Sequence, residues 1–473
     1  MQKPSSLTIT DQFCGAGGTS LAATQAGAEV KLALNHWKLA VESHNTNFPN
    51  TWHDCTDISA CDPRRYPSTT ILLTSPECTS HSLAKGKKRK NLGELTLWGL
   101  PKIDPAEERS RATMLDVPRF AEFHQYELII VENVVDAHRW ILFDEWLRMM
   151  QKLGYQWEIV YFNSMFAHPT PQSRDRMYIV FWKKGNRAPD LRFTPPAYCI
   201  RCGKQIEAVQ VWKKPNCPWG RYGSRYGQYL YGCPLCQREV VPFYYAAANV
   251  IDWSLPIQRI GDRKKPLEEK TIRRIELGLR KFQVQEDLLL QVNTGGSDLV
   301  SPFLVGLSYG SDSGRVTSVT ESAMQTQTTR QDQALVVPYI LDLTWEYRPR
   351  SIMGPLTTVV AGGNHHGLVL SPPVSTSFLS TYNGNGGLHP LFKPAGTITT
   401  LDRHALLTPS PSSVRVEDCS FRMLQPSEIS RAMAFPEEYV VLGNARQKVK
   451  QYGNAVTPPV MKMILERCIQ TLQ

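Results

Sequence analysis

Apolar and polar positions alternate in blocks along the first 183 residues of the chain. Short apolar or β-branched runs have the length of buried strands, and several stretches between them have the spacing of amphipathic helices. The predicted strands are residues 7–13, 30–34, 69–74, 127–135, 155–162 and 177–182, and the predicted helices are residues 18–27, 36–45 and 140–153. Strands interleaved with helices predict a doubly wound α/β fold, in which a mostly parallel sheet is covered on both faces.

The pattern changes after Lys183. A segment rich in Pro, Gly, Tyr and Cys comes first, a long segment rich in Thr, Gly and Ser with short β-like runs follows, and a helical pattern returns near the C-terminus. The predicted units are an α/β domain at 1–186, a small cysteine-containing module at 187–245, a β-rich region at 246–415 and a C-terminal segment at 416–473.

The β-rich region contains a weak internal repeat. Thr-rich segments at 325–329, 355–358 and 397–400 are each followed, after a short polar gap, by an apolar run at 334–337, 367–370 and 405–407. This order predicts three β-ribbons of related design. Coincidence within a Thr-rich region is the alternative.

Composition adds a class of partner to this outline. The chain has 473 residues, of which 42% are hydrophobic and 20% charged, as is ordinary for a globular protein of several domains. The net charge is +10 and the pI is near 9.0. Because the charge clusters locally, above all in the run Lys-Gly-Lys-Lys-Arg-Lys at 85–90, a polyanionic partner is favoured over the alternative of a merely basic enzyme.

Cysteine usage and hydropathy indicate the compartment. Eleven cysteines is an odd number, and the first six residues contain no apolar segment of signal-peptide length. No stretch approaches the roughly 20 apolar residues of a membrane span. We therefore expect a cytoplasmic monomer that does not associate with membranes, whose cysteines are thiols or metal ligands.

A Gly-rich turn closes the first predicted strand and opens the first predicted helix. Its sequence from Asp11 to Gly18 is Asp-Gln-Phe-Cys-Gly-Ala-Gly-Gly. Glycines let the backbone turn tightly and approach a ligand, and the N-terminus of a helix favours a carboxylate or a phosphate. Because ligands of open α/β sheets bind at the carboxyl ends of the strands, the turn predicts a cofactor site, although many Gly-rich turns bind no ligand.

The end of the second predicted strand departs from the usual pattern of such sites. A ribose-binding acid is expected there, but the sequence reads Leu34-Asn35-His36-Trp37, so that the amide of Asn35 stands in its place. Trp37 is a candidate to cover one face of an adenine, with a core position as the alternative. Asp57 is a candidate to accept a hydrogen bond from an exocyclic amine, with a helix N-cap as the alternative.

Cys78 is the candidate nucleophile. It lies in the turn Pro76-Glu77-Cys78, directly after an apolar strand and shortly before the basic run at 85–90. The thiolate is the reactive form of a cysteine, and nearby cations favour it. A single cysteine is usually an inert buried residue, but its place in this turn favours the catalytic interpretation.

Charged residues in two other segments are candidates to act with this thiol. Glu132 interrupts an otherwise apolar strand, where a buried carboxyl is costly unless it is paired or keeps its proton. A protonated Glu132 could donate to a ring nitrogen, and a structural ion pair with an arginine is the alternative. Arg174 and Arg176 lie two residues apart in a short extended segment, and one could face the site while the other braces a loop.

Two matched CxxC motifs predict a metal centre. Cys199-Ile200-Arg201-Cys202 and Cys233-Pro234-Leu235-Cys236 have the spacing of a tetrahedral zinc site with four thiolate ligands. Cys217 lies between them and is not expected to be a ligand. We expect a structural zinc that holds together a module lacking a core of its own, and the nearby segment 221–226 is a weaker candidate to meet nucleic acid.

Five segments together resemble the DNA cytosine carbon-5 methyltransferases. They are Phe13-Cys14-Gly15-Ala16-Gly17-Gly18, Pro76-Glu77-Cys78, Glu132-Asn133-Val134, Gln172-Ser173-Arg174-Asp175-Arg176 and Gly453-Asn454-Ala455-Val456. The resemblance covers approximately residues 7–183 and 419–470. The order and collective spacing of the motifs are far more specific than any one of them.

The resemblance implies a class I methyltransferase fold, S-adenosylmethionine as the cofactor and double-stranded DNA as the substrate. It also implies that the last helix returns to the catalytic domain and that the β-rich region selects the target sequence. The implied cofactor contacts are Phe13, Gly15, Gly17, Gly18, Asn35, Trp37, Asp57, Ser75, Asn454 and Val456. The chain is similar to phage and bacterial members with a Ser-Pro-Glu-Cys motif, some of which serve restriction-modification.

The mechanism that the resemblance implies begins with extrusion of the target cytosine from the duplex. Cys78 attacks ring carbon 6 while Glu132 protonates or hydrogen-bonds ring nitrogen 3, and carbon 5 then takes the methyl group. Arg176 would orient the base or Glu132, and Arg174 completes the implied catalytic set.

Three features depart from the family pattern. Glu77 replaces a proline and puts a carboxylate beside the nucleophile, Asn35 replaces an acid, and the zinc-ribbon-like insertion is not general in the family. Two alternatives stay open. One is an RNA cytosine methyltransferase with the same catalytic set, and the other is an inactive DNA-binding protein on this scaffold, in which the departures are drift.

Overall fold

The computed structural model describes residues 7–77, 113–245 and 415–472 almost completely, with parts of 247–276 and the backbone of short strands between 303 and 407. The proposed nucleophile Cys78 and the basic run at 85–90 lie outside the described residues.

A seven-stranded sheet forms the centre of the N-terminal domain. Its strands are β1 (Thr8–Gln12), β2 (Glu29–Asn35), β3 (Trp52–Cys55), β4 (Ile71–Thr74), β5 (Leu128–Val134), β6 (Tyr155–Asn163) and β8 (Asp175–Lys183), with the short β7 (Gln172–Ser173) outside the sheet. The order across the sheet is β3-β2-β1-β4-β5-β8-β6, and β8 alone runs antiparallel to its neighbours. The order reverses between β1 and β4, where α/β sheets open a ligand-binding crevice.

Helices cover this sheet on both faces. They are α1 (Gly18–Gln25), α2 (Lys38–Asn47), α3 (Asp116–His124), α4 (Phe143–Lys152), α5 (Pro426–Ala432), α6 (Ala445–Asn454) and α7 (Pro458–Ile469). Because both faces are covered, the central runs Ile71–Leu73 and Leu128–Val131 are completely buried. The last helix, α7, packs against α1, so that the chain returns to the N-terminal domain near its C-terminus.

The predicted doubly wound α/β fold is confirmed. Two elements escaped prediction because their patterns are weak: β3 is a partly exposed edge strand with the polar residues His53 and Asp54, and α3 contains a proline, Pro118. None of the helices within the described part of the chain has the length and apolar character that a membrane crossing needs.

The cysteine-containing module is built from short antiparallel strands. They are β9 (Pro196–Cys199), β10 (Lys204–Glu207), β11 (Val209–Trp212), β12 (Tyr229–Gly232) and β13 (Glu239–Val240). β9 pairs with β10, and β12 pairs with both β11 and β13. Each CxxC motif therefore lies in or beside the turn of a hairpin.

A second seven-stranded sheet follows, with the order β14-β24-β20-β18-β17-β15-β16. The strands of this part are β14 (Gln258–Arg259), β15 (Phe303–Leu307), β16 (Val316–Ser318), β17 (Gln333–Val336), β18 (Pro338–Leu343), β19 (Leu356–Thr357), β20 (Gly367–Leu370), β21 (Phe378–Thr381), β22 (Leu388–Pro390), β23 (His404–Leu407) and β24 (Ser420–Met423). The strand β24 connects this sheet to α5.

The weak repeat corresponds in part to strands. Its apolar runs coincide with β17, β20 and β23, whereas the Thr-rich segments at 325–329 and 397–400 lie outside the described residues. The prediction of the middle ribbon, formed by 355–358 and 367–370, is wrong. Among the described residues, β19 pairs in parallel with β7 of the N-terminal domain and not with β20.

Candidate active site

The Gly-rich turn at the end of β1 has a backbone that needs glycine. Gly15 and Gly17 have φ angles of 52° and 90°. A Cβ atom at Gly17 would lie 2.4 Å from the hydroxyl of Tyr439, and one at Gly18 would lie 2.1 Å from the carbonyl oxygen of Val456. The turn is therefore enclosed by residues from the far end of the chain, which leave no room for side chains at these two glycines. Phe13, which opens the turn, also has a positive φ, 57°.

The C-terminal segment is held against this turn by hydrogen bonds. The Tyr439 hydroxyl donates to the Ala16 carbonyl oxygen at 2.5 Å. The Arg174 guanidinium, which is 2% exposed, donates to the carbonyl oxygens of Gly453 at 3.2 Å and Ala455 at 3.1 Å. Of the two arginines considered in the sequence, Arg174 thus braces a loop. Asn454 is exposed, whereas Val456 is buried.

A buried polar network underlies the start of α1. Thr19 and Ser20 donate to Asp11 at 2.5 and 2.6 Å, and His44 contacts Ser20 at 2.9 Å and His53 at 2.7 Å. Burial raises the pKa of Asp11 to about 6, against the opposing hydrogen bonds from Ser20 and Thr19. Burial, followed by the charge of His53, lowers the pKa of His44 to about 3. His44 is therefore neutral at pH 7. The network holds the first residues of α1 in place, directly after the Gly-rich turn.

The residues after β2 and β3 adopt local turns. The Asn35 side chain accepts a hydrogen bond from the Trp37 amide at 2.9 Å, and Asp57 accepts one from the Ser59 amide at 3.1 Å. One face of the Trp37 ring is covered by Lys450 of α6, whose ammonium lies 4.4 Å from the ring centroid. The side chains of Asn35 and Asp57 thus each stabilise a local turn by accepting from the amide two residues later. Trp37 directly precedes α2.

Unpartnered polar atoms mark the crevice between β1 and β4. Ser75 Oγ, just after β4, and Gln12 Nε2, at the end of β1, are buried and lack hydrogen-bond partners among the residues that the structure describes. Buried polar groups are normally paired. Together with the enclosed Gly-rich turn, they fit a polar ligand in this crevice.

Glu132 and Arg176 form a buried ion pair beside this crevice. Glu132 Oε1 lies 2.8 Å from Arg176 Nε, and the two residues are 7% and 8% exposed. They reach each other from the adjacent strands β5 and β8. The neighbouring Asn133 donates to the Pro76 carbonyl oxygen at 3.4 Å and so connects β5 to the turn that leads to Cys78. The ion pair that was the alternative interpretation of Glu132 therefore exists.

The four cysteines of the CxxC motifs converge. Their Sγ atoms all lie within 4.8 Å of one another, with Cys199 and Cys236 3.6 Å apart and Cys202 and Cys233 3.9 Å apart. These separations exceed a disulfide bond, about 2 Å, and match the ~3.8 Å edge of a tetrahedron with zinc–sulfur bonds of ~2.3 Å. Cys217 is exposed and does not belong to the cluster. The donor set and spacing fit zinc.

A loop of the cysteine module is anchored beside the Glu132–Arg176 pair. The Arg221 guanidinium pairs with Asp136 at 2.5 Å, and the Tyr222 amide donates to Asp175 at 2.9 Å. Asp136 follows β5 and Asp175 begins β8, so that both acceptors lie at the same edge of the sheet as Glu132 and Arg176. Arg221 and Tyr222 thus contact the N-terminal domain, and the exposed residues of the loop are at 224–226.

Sequence reasoning missed the supporting residues of this site. Tyr439, His44 and Asp136 have no motif of their own, and their contacts join segments that are far apart in the chain. A polar residue next to an apolar strand is the only signal that points to Asp136.

Comparison with known proteins places the chain among methyltransferases. The family model described as C-5 cytosine-specific DNA methylase matches residues 7–210 and 376–470. The Type II methyltransferase M.HgiDI of Herpetosiphon aurantiacus is 26% identical over 186 residues, which are 38% of this chain and 54% of that protein. The Type II methyltransferase M.HgiGI of the same organism is 32% identical over 95 residues, which are 19% of this chain and 74% of that protein. The match therefore spans about half the length of M.HgiDI.

A solved methyltransferase structure has a similar fold. The Entamoeba histolytica methyltransferase EhMeth aligns with a TM-score of 0.50 at 12% identity and covers 99% of each chain. At this identity the likeness concerns the fold alone.

Proposed function

We propose that this chain, which belongs to the C-5 cytosine-specific DNA methylase family, transfers a methyl group from S-adenosylmethionine to carbon 5 of cytosine in double-stranded DNA. The observation that carries this proposal is the buried Glu132–Arg176 pair, held beside the turn that leads to Cys78. The names of the two Herpetosiphon relatives favour the modification half of a Type II restriction-modification system.

The crevice between β1 and β4 would hold the cofactor, which supplies an electrophilic methyl group when bound. The Gly-rich turn gives the close backbone approach that such a ligand needs. Ser75 Oγ is a buried donor without a partner among the described residues, and Trp37 offers an aromatic face. Val456 and Asn454 act from the C-terminal segment, where Val456 encloses Gly18.

The proposed catalytic steps rest on two side chains, Cys78 and Glu132. The Cys78 thiolate adds its electron pair to ring carbon 6 of the extruded cytosine, and the Glu132 carboxyl stabilises the charge that moves to ring nitrogen 3. Carbon 5 would then bond to the methyl group as the bond between that methyl group and the cofactor's sulfur breaks, with S-adenosylhomocysteine as the leaving group. A base then removes the carbon 5 proton, the carbon 5–carbon 6 double bond re-forms, and the thiolate leaves.

The two arginines have different roles in this proposal. Arg176, whose Nε lies 2.8 Å from Glu132 Oε1, fixes the Glu132 carboxyl from β8 and would orient the base through it. Arg174 positions the C-terminal loop by donating to Gly453 and Ala455, so its effect on the chemistry is indirect. A bidentate guanidinium suits both tasks because its donors have a fixed geometry.

The loop of the cysteine module extends the DNA-binding face in this proposal. Residues 187–245 contain nine Lys and Arg against three Asp and Glu, a net charge of +6. Anchored through Arg221, the loop presents Arg225 and Tyr226 to solvent at the catalytic edge of the sheet, with Tyr226 59% exposed. An exposed cation and an exposed aromatic ring are the side chains that contact phosphates and unstacked bases.

Replacing Arg225 and Tyr226 together by alanine is expected to weaken binding to duplex DNA. Because one phosphate contact is removed, the slope of log Kd against log salt concentration should fall by about one. The matched control is Arg187→Ala, since Arg187 follows β8 at the opposite edge of the sheet. Fluorescence anisotropy across a salt series measures both variants, and equal slopes for the two would contradict this part of the proposal.

The zinc is structural in this proposal. Four thiolates leave no coordination position for a substrate or a water molecule. The cluster joins two hairpins whose strands are two to four residues long, and the energy of metal binding would add to the packing of buried side chains such as Tyr229 and Tyr231.

Replacing Cys236 by serine is expected to release the metal and unfold the module. Elemental analysis of purified wild-type protein should show about one zinc per chain, and the variant should show a loss of zinc with a lower thermal midpoint. Cys217→Ser is the matched control, because Cys217 is an exposed cysteine of the same module outside the cluster. Zinc retained in full by Cys236→Ser would rule out the four-cysteine site.

Tritium transfer from labelled S-adenosylmethionine tests the substrate. Incorporation into duplex DNA and not into transfer RNA is expected, with the label at carbon 5 of cytosine. Incorporation into RNA alone would establish the RNA methyltransferase alternative, and incorporation into neither would favour the inactive DNA-binding alternative.

A further inference from the structure

Two side chains from different strand ends meet across the ligand crevice. His36 follows β2 and Glu77 follows β4, and His36 Nδ1 lies 3.7 Å from Glu77 Oε1. Their side chains are 60% and 39% exposed. Since β1 lies between β2 and β4 in the sheet, the pair spans the end of β1, where the Gly-rich turn begins.

Asn35, which stands where the ribose-binding acid is usual, makes a local hydrogen bond instead. Asn35 is 9% exposed, and its side-chain oxygen accepts from the Trp37 amide. The end of β2 therefore provides no free carboxylate, although a nucleoside cofactor in such a sheet is usually held there by an acid. Among the described residues, Glu77 brings a carboxylate to this point, and it does so from the neighbouring side of the crevice.

We propose that Glu77 binds the ribose diol of the cofactor and that His36 is the positioning residue for its carboxylate. The proposal rests on the proposed function, because it assigns a contact within the same cofactor site. A carboxylate has two acceptor oxygens, which suit two adjacent hydroxyl donors. The methyl donor keeps its methyl group on sulfur, away from the ribose hydroxyls, so this contact holds the cofactor without taking part in the transfer.

This assignment explains two departures from the family pattern by one arrangement. The acid missing after β2 is supplied by the residue that replaces a proline before Cys78. The contact with His36 directs the Glu77 carboxylate towards the end of β2.

Calorimetric binding of S-adenosylhomocysteine and of its 2′-deoxy analogue tests the proposal. The wild-type protein should bind the analogue that lacks the ribose 2′-hydroxyl about 10- to 100-fold more weakly than S-adenosylhomocysteine. Glu77→Gln should bind S-adenosylhomocysteine about tenfold more weakly than wild type, and removal of the hydroxyl should then have little further effect. His36→Asn should give a smaller loss of the same kind, because the carboxylate remains.

The matched control is Glu42→Gln. Glu42 is an exposed carboxylate of α2 that pairs with Lys38 outside the crevice. This variant should keep the wild-type affinity for S-adenosylhomocysteine and the full loss of affinity for the 2′-deoxy analogue. If Glu77→Gln keeps them as well, the assignment is wrong. If Glu77→Gln fails to fold, His36→Asn provides the test. If this variant loses as much affinity as wild type when the 2′-hydroxyl is removed, the proposal is overturned. Failure of the wild-type protein to bind S-adenosylhomocysteine would instead overturn the proposed function.

Discussion

Replacement of Cys78 by alanine is expected to abolish methyl transfer and to leave the affinity for duplex DNA unchanged. In the proposed mechanism, the covalent bond from the Cys78 sulfur to carbon 6 makes carbon 5 nucleophilic, and alanine offers no nucleophile. A loss of roughly 10³- to 10⁶-fold in turnover is the scale expected when a covalent nucleophile is removed. Transfer of tritium to duplex DNA measures turnover, and a mobility-shift titration measures affinity.

A duplex that contains 5-fluorocytosine separates the covalent mechanism from its alternatives. Fluorine at carbon 5 cannot leave as a proton does, so the wild-type protein should remain bonded to the base as an adduct that survives denaturation. Cys78→Ala should form none, and Cys217→Ala, which changes an exposed cysteine outside the site, should form as much as wild type. Undiminished methylation by Cys78→Ala would remove the covalent mechanism, and absence of an adduct with the wild-type protein would favour an inactive DNA-binding protein.

The α/β core was predictable because each buried strand is a continuous apolar run. Ile71–Thr74 and Leu128–Val134 are buried on both faces, so that nearly every position is apolar and the pattern is visible in a single sequence. The edge strand Trp52–Cys55 is partly exposed and carries two polar residues, so it has no such pattern. The predicted helix boundaries differ from the observed ones by two or three residues at several ends, because helix ends depend on caps more than on periodicity.

The candidate site was predictable where its residues lie within short motifs. The turn glycines, Glu132 and the four cysteines of the CxxC motifs stand out because each occupies a position where an ordinary core residue would be expected. The Glu77–His36 contact was not predictable, since it depends on the order of β2, β1 and β4 in the sheet. Sequence analysis identified Glu77 as a departure from the family pattern but gave His36 no role, and only the fold shows that the two lie together.

The role of Arg174 illustrates the same limit. Residues two apart share one face of an extended strand, so the spacing of Arg174 and Arg176 did not show that the two side chains diverge or which one reaches the Glu132 carboxyl. The direction follows from the pairing of β8 with β5, which puts Arg176 opposite Val134, and from the return of the C-terminal segment to Arg174. Both contacts join parts of the chain that no local pattern relates.

Replacement of Glu132 by glutamine is expected to lower turnover about 10²- to 10⁴-fold, the usual contribution of a positioned acid or base. The amide keeps the size of the side chain but cannot supply a proton to ring nitrogen 3. The matched control is Glu127→Gln, because Glu127 lies just before β5 at the opposite edge of the sheet and pairs with Lys183 at 3.5 Å. That variant should keep wild-type turnover.

A double variant separates the chemistry of Glu132 from its structural pairing with Arg176. Glu132→Gln alone leaves the Arg176 guanidinium buried without its carboxylate, and breaking a buried pair in this way costs about 3–5 kcal/mol. Replacing both partners by apolar residues of similar volume, as in Glu132→Leu with Arg176→Met, is often close to neutral for stability. The double variant should therefore regain thermal stability relative to Glu132→Gln while its turnover stays at or below that of the single variant. Recovery of turnover together with stability would show that the carboxyl serves the fold and does not act on the base.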